Sequence, residues 1–225
     1  MNTDIFNHAL IMAAGRGMRM RPLTDTIPKA LAPTKESTLI GERIESLKSK
    51  FNNVHITVGY KGSMLASYVI EKEVSSVFNT EGQGNSWWIF NTLMRFVDQP
   101  VLVLTCDNVA TINFSNLFED YKDKGSPPCM VVPVKPIKRL DGDYIFEEGG
   151  LVKELSREKK SDYYCSGIQI LNPMRINSLI KVCDDFNQVW SQLITIEALY
   201  SSSVVPKSWY AVDDLVQLNY LNNKS

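Results

Sequence analysis

Met12-Ala13-Ala14-Gly15-Arg16-Gly17-Met18-Arg19-Met20-Arg21-Pro22-Leu23-Thr24, followed by Ile27-Pro28-Lys29-Ala30-Leu31, grows out of the apolar run Ala9–Ala13, which reads as a first strand. Gly15 and Gly17 let the backbone turn and bring its N–H groups close to an anion. Four cations, Arg16, Arg19, Arg21 and Lys29, against Asp25 leave residues 15–29 with a local charge of +3. Pro22 and Pro28 stiffen the segment and block an ordinary helix. The pattern is that of a polyanion cradle at the carboxyl end of a strand, where open α/β sheets bind ligands. It lacks the G-x-x-x-x-G-K-[ST] of a Walker A loop and the third glycine of a dinucleotide fingerprint. A Gly turn beside a solvated basic surface explains Gly15-x-Gly17 alone, but not the whole run.

Outward from this loop, strand-like and helical patterns alternate. Val54–Tyr60, Val74–Phe78, Val101–Thr105, Met130–Val134, Ile168–Leu171 and Trp209–Val212 read as strands. Ile40–Lys50, Ser63–Lys72, Ser86–Val97, Pro173–Cys183, Ser191–Tyr200 and Leu215–Leu221 read as helices. Tyr144–Glu147 and Leu151–Leu155 form a predicted hairpin through Glu148-Gly149-Gly150. The expectation is an α/β fold, with a mostly parallel mixed central sheet, helices on both faces and a small inserted hairpin lobe. Residues 1–225 read as one domain of two halves, 1–110, which holds the anion cradle, and 111–225.

The chain has 225 residues, 44% hydrophobic and 22% charged, with 24 Lys and Arg against 25 Asp and Glu. That balance argues against a nucleic-acid partner and against disorder. No apolar run reaches the length of a membrane span, so no membrane insertion is expected. The polar Met1–His8 lacks the basic n-region of a signal peptide. Cys106, Cys129, Cys165 and Cys183 are widely spaced, and His8 and His55 are the only histidines, so no zinc site is expected and a reduced, cytoplasmic protein fits.

Asp107 follows the buried-looking run Val101–Cys106 and so stands at a strand's carboxyl end. It is a candidate ligand for Mg²⁺, which takes hard oxygen donors with phosphate oxygens and water completing its shell; the alternative is a turn-forming Asp. Gln83, Asn85 and Ser86 offer amide and hydroxyl groups to a base edge or phosphate, or a helix N-cap. Trp87 or Trp88, if turned toward a site, would make a wall for a quaternary amine; the alternative is core packing.

The Met12–Leu31 run closely resembles the signature of the sugar-phosphate nucleotidyltransferases, AAG-x-G-[ST]-R-[ML]-x-PLT…PK-x-L, with Met18 in place of Ser or Thr. The resemblance implies a Rossmann-like nucleotidyltransferase fold that binds a nucleoside triphosphate through Ala13, Ala14, Gly15, Arg16, Gly17, Lys29, Gln83, Asn85, Ser86 and Asp107. Arg16 and Lys29 would act with Asp107 in catalysis, on the leaving pyrophosphate and the phosphates at the reacting centre. Cys106-Asp107-Asn108 resembles the family's Gly-Asp-Asn, whose aspartate binds metal; the Gly→Cys departure adds a side chain near the nucleotide. Trp209–Asp213 resembles the family's W-x-E-I-D, which makes Asp213 the second metal ligand, with Ala211 in place of the usual acid. Asp214 reads as the cap of the last helix. Glu158-Lys159 resembles the family's Glu-Lys, so Lys159 would neutralise the acceptor phosphate, although a solvated charge run reads equally well. Ser166 and Gly167 would bring backbone to the acceptor.

The Asn85-Ser86-aromatic pattern resembles the small choline-phosphate cytidylyltransferase branch and implies CTP. Over Asn7–Pro33 the likeness extends to cytidylyltransferases of bacterial capsule phosphoramidate assembly, which implies glutamine phosphate as the small phosphorylated acceptor. Phosphocholine or a sugar 1-phosphate stands as the alternative acceptor. A catalytically silent nucleotide-sensing subunit is disfavoured by the presence of Arg16, Lys29, Asp107 and Asp213. An NAD-dependent oxidoreductase is disfavoured by the incomplete fingerprint. The chain is shorter than relatives that carry an added C-terminal domain, so no second enzymatic activity is expected.

Overall fold

The computed structural model describes residues 6–137 and 142–223; most of the polar Met1–His8 segment lies outside them. In chain order the strands are β1 (His8–Met12), β2 (Asn53–Val58), β3 (Ser76–Asn79), β4 (Val101–Thr105), β5 (Asn108–Thr111), β6 (Cys129–Val134), β7 (Tyr144–Glu148), β8 (Leu151–Ser156), β9 (Tyr164–Leu171), β10 (Leu199–Ser201) and β11 (Ser208–Ala211). The helices are α1 (Leu23–Thr26), α2 (Leu39–Lys48), α3 (Gly62–Glu71), α4 (Trp87–Asn91), α5 (Phe114–Asp123), α6 (Pro173–Leu179), α7 (Phe186–Thr195) and α8 (Leu215–Asn223).

The chain divides into two compact units that interleave in sequence. Unit 1 comprises Met1–Gly84, Leu104–Val109 and Tyr210–Ser225. Its strands β1, β2 and β3 pair in parallel, in the order β3-β2-β1. Buried on both faces, β1 and β2 read as near-continuous apolar runs. The segment after β1 forms no long helix. It passes through two short 3-10 turns, Met18–Met20 and Lys29–Leu31, separated by α1. Its anchor is Met20, fully buried with Ala32, Leu39, Val212 and Leu218. Burying such a methionine stabilises by roughly 1.5–3 kcal/mol.

Unit 2 comprises Asn85–Val103 and Ala110–Trp209. Its strand order is β4-β9-β6-β10-β8-β7. β9 runs antiparallel to both β4 and β6, while β10 is parallel to β6. The β7–β8 hairpin forms where it is expected, and Gly149 (φ 59) and Gly150 (φ 87) supply its left-handed turn. Between Gln169 and Cys165, β9 bulges against Val131 and Pro133 of β6, and the bulge carries Ser166 and Gly167.

Two expected elements differ. The helix expected over Ser86–Val97 breaks at extended Thr92 (φ −118, ψ 177), leaving α4 and a 3-10 turn over Leu93–Phe96. The helix expected over Ser191–Tyr200 begins earlier, because the Asp185 carboxylate accepts from Asn187 N and starts α7. Its last residues become β10 after Glu197 turns left-handed (φ 55). Sequence patterning also passes over α5, which Asn113 starts by accepting from Asn116 N.

Candidate active site

The loop after β1 is braced from below. Ala13 N donates to Thr57 O and Thr57 Oγ1, both at 3.2 Å, and Tyr60 N donates to Ala14 O at 3.0 Å. Gly59 is needed here, since a Cβ on it would stand 2.8 Å from Ala14 O. Gly17 sits at φ 61, ψ 41, and a Cβ on it would lie 2.7 Å from Lys29 Cβ. That contact explains the second glycine: it lets the lysine pass beneath the loop. Thr24 Oγ1 closes the turn onto Gly17 O at 3.0 Å. Gly15 and Arg16 are exposed, and a Cβ on Gly15 would meet nothing within 4 Å. Among the described residues, the N–H groups of Gly15, Arg16 and Gly17 have no hydrogen-bond partner. Three successive unpaired donors form the kind of concavity that binds anions.

Lys29 is the centre of the site. Its Nζ lies 2.5 Å from Asp107 Oδ2 and 2.9 Å from Asp213 Oδ1, and the three side chains are only 10%, 22% and 15% exposed. Burial opposes the ammonium charge, but Asp107 and then Asp213 outweigh it and hold the Lys29 pKa above the ordinary lysine value. Arg19 reaches Asp213 Oδ1 at 3.1 Å from a mostly exposed position. Val212 N donates to Asp107 O at 2.9 Å, which ties the two aspartates' strands together. The structure therefore gathers Lys29, Asp107 and Asp213 into one cluster under the Gly15–Gly17 cradle. His8 and His55 contact each other on β1 and β2 (2.9 Å) and take no part in it.

Residues 8–155 match the family described as Nucleotidyl transferase (NTP_transferase). The chain belongs to this family. It is 24% identical over 206 residues to the mannose-1-phosphate guanylyltransferase catalytic subunit beta of Drosophila melanogaster, covering 86% of this chain and 56% of that protein. The chain spans about 56–60% of the length of the insect and plant guanylyltransferases it matches. A CTP:phosphocholine cytidylyltransferase structure from Streptococcus pneumoniae is similar with a TM-score of 0.76, at 24% identity, over 97% of this chain and 98% of that one. The inositol-1-phosphate CTP transferase of T. maritima also gives 0.76, at 13% identity, over 100% and 99%. These likenesses show the fold, the α/β nucleotidyltransferase fold with its mixed sheet.

Nucleotidyltransferases of this family typically use divalent metal ions. The cluster fits one. Asp107 and Asp213 converge on a single cation, and Mg²⁺ is commonly held by one or two carboxylates plus substrate phosphates. Among the described residues no third acidic, histidine or cysteine side chain joins them.

Cys106, beside Asp107, is buried. Its thiol is pushed up to about 12 by burial, with Asp107 adding and Lys29 and Arg43 opposing. Gln83 is exposed. Asn85 Oδ1 accepts from Phe186 N at 2.8 Å, so its acceptor is committed to the start of α7. Ser86 has no exposed surface, and Trp88 is buried in the core. In unit 2, Lys159 is exposed on the hairpin side and holds both Glu154 oxygens at 2.7 and 2.8 Å. Ser166 is buried, and its hydroxyl donates to Val132 O at 2.7 Å. Gly167 adopts φ 79 within the β9 bulge.

Two supporting residues escaped the sequence reading. Arg43 of α2 is largely buried and donates through Nη2 to Asn108 O, one residue beyond Asp107. Only a basic residue in an otherwise ordinary amphipathic helix marks it. Gln217 Oε1 accepts from Asp213 N (2.5 Å) and Asp214 N (3.1 Å), while Asp214 Oδ1 accepts from Gln217 N (2.8 Å). This reciprocal cap starts α8 and fixes the Asp213 backbone; Asp-x-x-Gln before an apolar run is its signature. Among the described residues, no helix is long and apolar enough to cross a membrane.

Proposed function

We propose that the chain transfers a nucleoside monophosphate, CMP from CTP by preference, to the phosphate of a small acceptor with release of pyrophosphate. The observation that carries this reading is the Lys29 ammonium held between Asp107 and Asp213 beneath the unpaired N–H groups of Gly15–Gly17. Family membership supports the reaction class. An acceptor phosphate oxygen attacks the α-phosphorus; the new O–P bond forms as the bond to the bridging oxygen breaks, and pyrophosphate leaves. The attacking oxygen is already anionic near neutral pH, so no proton moves at the reacting atoms. The work is positioning and charge neutralisation. Arg16 and the loop N–H groups receive the leaving phosphates, and Lys29 neutralises charge around the α-phosphorus. Asp107 and Asp213 would hold a divalent cation, which supplies further charge neutralisation when bound.

The preferred acceptor is glutamine phosphate, in the cytoplasmic steps of capsule phosphoramidate assembly, with Lys159, Ser166 and Gly167 on the acceptor side. The likeness over Asn7–Pro33 supports it, as do four free thiols for the compartment. The cytidylyltransferase neighbours are consistent with CTP. The guanylyltransferase relatives favour a second reading, transfer to a sugar 1-phosphate. One experiment separates them: pyrophosphate release measured with each of four nucleoside triphosphates against glutamine phosphate, phosphocholine and hexose 1-phosphates, with Mg²⁺. Release with CTP and glutamine phosphate is expected; release from no pair would refute the transferase reading.

A further inference from the structure

We propose that Arg43 is a positioning residue: it clamps the corner of backbone that carries Asp107, and so holds that carboxylate beside Asp213 for a divalent cation. The proposal rests on the transferase reading and adds a residue to the same site. Arg43, Asp107, Asn108, Val212 and Asp213 all belong to unit 1.

Asp107 stands in the two-residue connection Cys106-Asp107 between β4 and β5. Three successive residues of this corner are pinned by three different segments. Cys106 N donates to Met12 O, at the end of β1, at 3.0 Å. Asp107 O accepts from Val212 N at 2.9 Å. Asn108 O accepts from Arg43 Nη2 on α2. The first two bonds join main chain to main chain, so almost any sequence can make them. The third comes from a side chain, so the sequence chooses it.

That choice is costly. Arg43 Nε is shut off from solvent and, among the described residues, has no hydrogen-bond partner. Nor does any carboxylate among them form an ion pair with Arg43. Its neighbour Glu42 is exposed and accepts from Thr34 Oγ1. Burial pulls the Arg43 pKa below the ordinary arginine value, with Cys106, Glu42 and Asp107 opposing; a guanidinium in a protein stays charged all the same. A neutral amide could serve one carbonyl at less expense than a half-satisfied buried cation. What the charge and the reach of an arginine add is a fixed cation beside Asp107. The proposed chemistry asks Lys29 to act on phosphates, whereas Arg43 is anchored to main chain. Partners that orient a metal-binding side chain typically change metal affinity 10–100-fold when removed.

Mn²⁺ binding followed by electron paramagnetic resonance supplies a test without turnover. Mn²⁺ is titrated into the parent, Arg43→Met, Arg43→Lys and Leu47→Ala. Leu47→Ala removes buried packing from the same helix and leaves Arg43 in place. Arg43→Met should bind Mn²⁺ about tenfold more weakly. Arg43→Lys, which keeps the charge without the planar fork, should lose less. Leu47→Ala should melt at a lower temperature with its Mn²⁺ affinity unchanged. In pyrophosphate release, Arg43→Met should need about tenfold more Mg²⁺ for its half-maximal rate, and saturating Mg²⁺ should restore most of that rate. Unaltered Mn²⁺ affinity in Arg43→Met, or an equal loss in Leu47→Ala, overturns the proposal. So does tighter binding in Arg43→Met, which would make the arginine a repelling charge only. Normal release by the parent beside any of these results leaves the transferase reading intact. Weakened Mn²⁺ binding in Arg43→Met, with no release by the parent from any pair, would refute that reading and keep Arg43 as the clamp on Asp107.

Discussion

Two regions carry opposite charges in close pairs, and they treat them differently. In unit 1, Lys29, Asp107 and Asp213 are buried and locked by backbone: Gly17 gives the lysine space, Val212 N holds Asp107 O, and Gln217 holds Asp213 N. In the hairpin region of unit 2, Lys159 and Arg157 are about two-thirds exposed and hold Glu154 and Asp143 from solvent. The first arrangement is preorganised electrostatics, where desolvated charges interact strongly and their removal leaves an uncompensated partner. The second is a screened pair of long side chains, worth little for stability but free to reorganise around a ligand. The same residue types serve as fixed machinery in one place and as an adaptable rim in the other.

The largest effect should come from breaking the fixed cluster at Asp107. Asp107→Asn is expected to lower turnover by roughly a thousandfold or more while the folded spectrum survives, a loss on the scale of removing a key electrostatic group. A variant with near-normal pyrophosphate release would remove Asp107 from the site. Next, Lys29→Met leaves two buried carboxylates facing each other. The expected cost is about 3 kcal/mol, read as a lower melting temperature, and added Mg²⁺ should restore more of it than it adds to the parent protein.

The same lysine sets a pH dependence of definite sign. Its folded pKa is raised, so its stabilisation is complete below the unfolded lysine value and is lost as pH rises through the higher folded value. Alkaline melting curves of the parent should therefore fall toward those of Lys29→Met. A smaller effect is expected from Gly17→Ala. The left-handed backbone and the 2.7 Å approach to Lys29 Cβ should cost about 1–2 kcal/mol and displace the lysine, so activity falls more than stability. Least of all, Lys159→Ala should change stability by about half a kcal/mol at most, yet raise the KM for the acceptor. An equal loss from Lys159→Ala and Lys29→Met would erase the distinction between the two regions.

The fixed cluster was largely legible in the sequence because its parts are local. Glycines, prolines and cations crowd into residues 15–29, and Asp107 ends an unmistakable apolar strand. Asp213 needed the resemblance: reading Asp214 as the cap of the last helix says only which of the two carboxylates is committed elsewhere. Arg43 stayed hidden because a buried arginine in a helix looks like any surface charge until the strand it supports is in place. Asn85 and Ser86 stayed ambiguous for the converse reason: polar residues before a helix suit ligand binding and packing alike, and only the tertiary fold shows the Asn85 acceptor turned to the start of α7 and Ser86 buried. The start of α7 was misplaced because the Asp185 cap is a weaker signal than the apolar run that follows it.

The Gln217 amide oxygen serves two backbone donors at once, so Asp213 is coupled to the rotational phase of α8. A helix turns by about 100° per residue. One residue inserted between Asp214 and Gln217 would alter no side chain of the cluster. It would nonetheless swing Gln217 away from Asp213 N and take Leu218 out of the pocket shared with Met20. The carboxylate pair is thus sensitive to the spacing of a segment that contributes no charge to it.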